Sequence, residues 1–212
     1  MLEAVNPTEI LARVVLTEEV AAAPLGDARR SRRYVQIIKQ MSEMPDASIP
    51  QMMSDPADLE AYYRFMRNEA VDHFKLLQPH FDGTATRCTE MGTILVAHDT
   101  TELAFDLHDE PAREKVPQLS KNRVGFYWHA SLALTAADDT RVPMGLIASR
   151  PFVHDSQIKD EETRALWSEI GGIYDNEKWR WMESVEEAYI LAPSPEFGLF
   201  PEKSGLVLHE LS

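Results

Sequence analysis

An acidic residue ends a β-branched apolar run in Thr93-Ile94-Leu95-Val96-Ala97-His98-Asp99, and Thr100 and Thr101 follow directly. A carboxylate delivered to the carboxyl end of a rigid strand can hold a divalent metal and leave coordination sites open to substrate. Asp99 equally suits a strand that ends in a turn, where Asp bonds its own backbone and the threonines organise the bend. A second group is cationic. Arg29, Arg30, Arg32 and Arg33 follow Leu25-Gly26-Asp27, in which Gly26 supplies a turn and Asp27 can cap a helix. Arg29 shares a helix side with Arg32 and with Arg33. Cations at a helix N-terminus oppose the macrodipole, and a phosphate partner would relieve that arrangement. A solvated basic helix start is the plain alternative. Arg64 and Arg67, one turn apart around Phe65, form either a second phosphate clamp or salt bridges to Glu60 and Asp58 on the same helix. The histidines His98, His108, His129 and His154 lack the spacing of a zinc site. His129 and Ser131 alternate on one strand face, which is not a nucleophile elbow.

The elements that must position these groups change character along the chain. Residues 8–22 read as a helix, and a second runs from about Ala28 to Met44 with Tyr34, Ile37, Ile38 and Met41 on its apolar face. Gln51–Met53 adds a short turn, Asp55-Pro56 starts a helix through Met66, and Val71 to Phe81 forms another. After Gly92 the period becomes that of strands: Ile94–His98, Phe126–Thr135 and Met144–Phe152, with a hairpin at Asp138-Asp139. Helices are expected over Glu161–Ile170 and Asn176–Leu191, followed by a Pro-containing tail. The four tryptophans, Trp128, Trp167, Trp179 and Trp181, fit packing roles better than base stacking. The fold class is α+β: an N-terminal helical module over residues 1–87, then a second domain over 88–212.

Composition narrows the function classes. The net charge of −14 excludes general nucleic-acid affinity across the surface, because phosphate binding depends on Lys and Arg. Its distribution is uneven. Residues 1–87 carry 10 basic and 13 acidic side chains, and residues 88–212 carry 11 and 22. The one dense basic cluster therefore lies in the near-neutral part. A single cysteine, Cys88, excludes an intramolecular disulfide and a multi-thiolate zinc site. No apolar run approaches the roughly 20 residues of a membrane helix, so no membrane partner is expected and the setting is read as cytoplasmic.

Five segments together resemble the bacterial cut-and-paste DDE transposases of the type encoded by the kanamycin-resistance composite transposon. They are Leu25 to Arg33, Ala61 to Asn68, Val96 to Leu103, Gly125 to Leu134 and Met144 to Ile147, in the family's order and at similar spacing. The resemblance covers residues 20–155 well and thins beyond them. Glu177 to Met182 looks like the family's acidic helix. It implies that residues 1–87 are a transposon-end DNA-binding domain and residues 88–212 a partial RNase H-like (α/β) catalytic domain. Arg29, Arg30, Arg32, Arg33, Arg64 and Arg67 would contact double-stranded DNA. Asp99 would be both catalytic and a ligand of Mg²⁺ or Mn²⁺, as one of three carboxylates in a two-metal site. The implied location is the bacterial cytoplasm, on the nucleoid, with another transposase chain as a further partner.

The C-terminal segment departs from the family pattern. Nothing matches the second catalytic Asp in its Asp-Arg-Glu-x-Asp setting, and Glu210, after Leu206-Val207-Leu208, is the only local substitute. The expectation is a truncated transposase that binds ends, holds metal weakly and does not complete cleavage and strand transfer. The alternatives are a functional half of a split enzyme, and an acidic interaction protein that keeps only the fold. The first strand would be left as a sheet edge, which favours association.

Overall fold

The computed structural model describes residues 15–53, 55–91, 93–106, 116–120, 123–136, 141–169 and 172–174. The chain divides into two compact units, Met1–Arg87 and Cys88–Ser212. The first unit is helical. It contains α1 (Leu16–Val20), α2 (Ala28–Glu43), α3 (Ile49–Met52), α4 (Pro56–Met66) and most of α5 (His73–Thr89).

Short polar side chains set where these helices begin. The Asp27 carboxylate accepts the Arg29 N–H at 2.7 Å, and Gly26, at φ 68°, makes the left-handed turn that delivers the chain to that cap. Asp55 accepts the Ala57 N–H at 2.8 Å, with Pro56 in the first turn, and Asp72 accepts the Lys75 N–H at 3.1 Å. α2 buries Tyr34 and Ile37 in a core with Val20, Ala23, Leu25, Met53 and Phe65, while Ile38 and Met41 pack on its margin. Each fully buried apolar side chain of this kind contributes about 1.5–3 kcal/mol. Tyr34 stacks on Phe65, with ring centroids 6.1 Å apart, and its hydroxyl donates to the Leu76 carbonyl at 3.0 Å. Burial pushes its pKa up to about 12.

Two boundaries in this unit differ from the sequence expectation. Of the helix expected over 8–22, residues 8–14 lie outside the described part, and the remainder ends at Val20. The helix expected to stop at Phe81 continues to Thr89, through Pro79 and Gly83, because tertiary contacts along α5 outweigh two poor helix formers.

The second unit is built on β1 (Ile94–Phe105), β2 (Gln118–Ser120), β3 (Arg123–Thr135), β4 (Pro143–His154) and β5 (Ile173–Tyr174), with α6 at Glu161–Glu169. The sheet order is β1-β3-β4-β5, with β2 paired to β3. β1 with β3 and β3 with β4 are antiparallel, and β5 runs parallel to β4. Helices followed by an antiparallel sheet with a helix make the α+β architecture expected from the change of period. Among the described residues β1 pairs with β3 alone, so it forms the sheet's edge. Alternation along β3 buries His129, Ser131, Ala133 and Thr135 on one face. On the other face Trp128 donates to Ser149 at 2.7 Å, and Phe126 packs on the buried Trp167 of α6. The hairpin at Asp138-Asp139, the helix over Asn176–Leu191, Trp179, Trp181 and Glu210 lie outside the described residues.

Candidate nucleic-acid interface

The basic cluster occupies the first turns of α2. The Arg29 side chain is 85% exposed and lies 3.6 Å from the Asp27 carboxylate. The Arg29 backbone hydrogen bond holds the Asp27 carboxyl below its ordinary range, opposed by desolvation and aided by the charges of Arg29 and Arg30. Arg32 is exposed, and among the described residues no ion pair involves it. Arg30 is half-buried. Arg33 is engaged differently: its Nη1 meets Asp58 Oδ1 at 2.8 Å, and Asp58 Oδ2 accepts Gln36 Nε2 at 3.2 Å. Asp58 on α4 therefore holds two residues of α2.

On α4 itself, Arg64 pairs with Glu60 at 2.5 Å, one turn away and exposed. Arg67 follows the helix end, where its N–H donates to the Tyr63 carbonyl at 3.1 Å, and its side chain is exposed. Arg29, Arg30 and Arg32 thus present a cationic helix start, with Arg29 at 3.6 Å from Asp27, while Arg33 and Arg64 are held by closer carboxylates.

A buried ion-pair group that precedes this helix was not read from the sequence. Glu19 on α1 is nearly buried and points both oxygens at α5: Oε2 to His80 Nδ1 and Oε1 to Arg87 Nη1, each at 2.8 Å. Arg87 Nη2 also donates to Thr84 Oγ1 at 2.8 Å, and that hydroxyl donates to the His80 carbonyl. Gly83 makes the approach possible, since a Cβ there would sit 2.1 Å from Glu19 Oε1. The acidic Glu18 and Glu19 were visible, but the partners of Glu19 lie more than 60 residues away, beyond the reach of any local pattern.

Asp99 lies inside β1 rather than at its end, opposite Ala130 of β3, and it is exposed. The expected turn is absent. Thr100 and Thr101 are β-branched and continue the strand, pairing with His129 and Trp128 up to Phe105 opposite Val124. Thr101 makes a long 3.5 Å hydrogen bond to Asp99 Oδ2. Thr100 Oγ1 instead meets His129 Nδ1 across the strands at 2.9 Å, on the opposite face. There His98 Nδ1 meets Ser131 Oγ at 2.9 Å, and the two imidazoles stack 5.6 Å apart. Burial lowers the His98 pKa. The only other carboxylate on these strands, Glu102, alternates to the histidine face and pairs with Arg123. Among the described residues no three His, Cys, Asp or Glu side chains converge to hold a metal. Asp99 with Thr101 does not complete the oxygen shell that Mg²⁺ requires.

Also among the described residues, no helix is long and apolar enough to cross a membrane. No curated protein matches the chain significantly. Residues 13–71, which include α1 through α4, match the family model described as Transposase DNA-binding. The N-terminal region of this chain, with its capped basic helix, is thus similar to a transposase DNA-binding domain.

Proposed function

We propose that the chain is a transposase-related protein that recognises transposon ends as duplex DNA through the start of α2. The observation that carries this reading is the coincidence of the family match over 13–71 with the chain's one dense basic cluster, in a protein of net charge −14. Arg29, Arg30 and Arg32 are the primary phosphate contacts. Arg33 contributes through a guanidinium already oriented by Asp58, and Arg64 and Arg67 form a secondary site on α4. Cations at a helix N-terminus are electrostatically unfavourable on their own, and phosphates against Arg29 and Arg32 would offset that cost. Phosphate contacts of this kind position the protein, and base-edge contacts would then choose the sequence.

In the same reading residues 1–87 are the end-binding domain and residues 88–212 a partial RNase H-like domain, with Asp99 as its first carboxylate. Its support is the antiparallel β1-β3-β4 order and the position of Asp99 on the first strand. DNA recognition is the activity the described residues support, since they supply one such carboxylate and no converging partners. A second reading, an acidic interaction protein, draws on the pairing of Arg33 and Arg64 with Asp58 and Glu60.

The two separate in a selection from a randomised duplex library by the full-length protein. Enrichment of a defined motif that then competes over scrambled duplex supports end recognition. No enrichment, together with no duplex retained at low salt, rejects it in favour of the second reading.

A further inference from the structure

We infer that Glu19 is a positioning residue for DNA binding: through His80 and Arg87 it latches α1 to α5 and thereby sets the start of α2. This rests on the DNA-binding reading above. Leu76, His80, Gly83, Thr84 and Arg87 recur at helical spacing, so they form one stripe along α5. The stripe holds both neighbours. Leu76 takes the Tyr34 hydroxyl of α2, and His80 and Arg87 take the Glu19 carboxylate of α1.

The chain between Glu19 and the Asp27 cap has little freedom of its own. The Ala22 N–H bonds the Glu19 carbonyl, the Ala23 N–H the Val20 carbonyl and the Leu25 N–H the Ala23 carbonyl, while Val20, Ala23 and Leu25 are buried. Gly26 and the Asp27 cap then open α2. Displacing Glu19 therefore shifts the short segment that leads to Arg29, while Arg33, Tyr34, Gln36 and Ile37 still anchor the rest of α2. The carboxylate is nearly buried between two basic side chains, and a Cβ at Gly83 would force it to shift from this position. A general stabilising contact would not need its position transmitted along this segment; the bonded and buried residues between Glu19 and Leu25, which lead directly to the Gly26 turn and the Asp27 cap, are what tie Glu19 to the basic cluster.

The test uses the full-length protein and a labelled mixed-sequence duplex, with affinity measured across a salt series well below the melting temperature. Active fraction is counted separately by stoichiometric titration. Glu19→Ala should weaken binding by about tenfold, the equivalent of one charge-assisted hydrogen bond. It should also make the slope of log K against log salt shallower by about 0.9 for each phosphate that the displaced arginines no longer reach. A purely structural role lowers the active fraction and leaves the slope of the folded molecules alone, and that outcome overturns the inference. Glu19→Gln keeps the length and an acceptor oxygen for Arg87, so it should recover part of the slope; slopes equal to that of Glu19→Ala would also overturn it. Failure of the wild-type protein to bind the duplex would reject the DNA-binding reading itself.

Discussion

Gly83→Ala should reverse the sign of its effect according to what occupies position 19. Ala is better than Gly by about 0.8–1.0 kcal/mol in a helix interior, and Gly83 lies well inside α5. In the wild-type protein the new methyl would sit 2.1 Å from Glu19 Oε1, 3.0 Å from its Cδ and 3.1 Å from Arg87 Nη1. The carboxylate must retreat by about 1 Å to restore ordinary contact, and its 2.8 Å bond to Arg87 cannot survive that movement. Losing one charge-assisted hydrogen bond costs about 1.5–3 kcal/mol. The net effect is a destabilisation of about 0.5–2 kcal/mol. With Glu19→Ala in place the Arg87 guanidinium, freed of that partner, need shift only a few tenths of an ångström, and Gly83→Ala should stabilise by about 1 kcal/mol. The coupling between the sites is then about 1.5–3 kcal/mol, in the range of residues that touch. All four tryptophans lie in residues 88–212, so their fluorescence does not follow the first unit. Native-state amide exchange at α5 positions reads the four variants directly. Stabilisation by Gly83→Ala in both backgrounds would refute the account of the Glu19 approach.

Three other outcomes are expected. A double-mutant cycle between Arg33→Ala and Asp58→Ala should give a coupling of about 1 kcal/mol in amide exchange of α2, because the pair is roughly two-thirds buried and well aligned; a coupling of zero would remove Asp58 as an anchor of α2. Asp99→Ala should leave duplex affinity and its salt slope unchanged, since Asp99 is assigned to the other unit; tighter binding on loss of this carboxylate would place DNA against β1. His98 has a folded-state pKa below the ordinary 6.5, so the unfolded chain binds its proton more readily. The stability it protects is present above 6.5, is lost as pH falls through that value, and stops falling once folded His98 also titrates. Urea unfolding followed by tryptophan fluorescence should show this decline, and His98→Gln should flatten it.

The helix starts were legible because they depend on residues adjacent in the chain: Gly26 and Asp27 before α2, and Asp55 and Pro56 before α4. The apolar stripe of Tyr34, Ile37, Ile38 and Met41 likewise carried the packing face of α2. Strand existence was legible from apolar, β-branched runs, but the extent of β1 was not. Thr100, Thr101 and Glu102 resemble a polar turn, and only pairing with Tyr127–His129 shows that they remain in the sheet. β2 and β5 are too short to leave a periodic signal. The Glu19 latch was invisible for a different reason: its energy lies in partners distant in sequence, and its requirement for Gly83 looks locally like a helix breaker. The arginine cluster was legible by type and spacing, whereas the engagement of Arg33 by Asp58 required the fold.

The central claim is that the start of α2 contacts the DNA backbone. Its most direct test is the salt dependence of duplex binding by the full-length protein, compared with Arg29→Ala/Arg30→Ala/Arg32→Ala. Log affinity should fall linearly with log salt in the wild type, and the triple variant should show a slope shallower by up to about 2.7, at 0.9 for each of three phosphates. An identical slope in the two proteins would contradict the assignment of α2 as the DNA-binding helix.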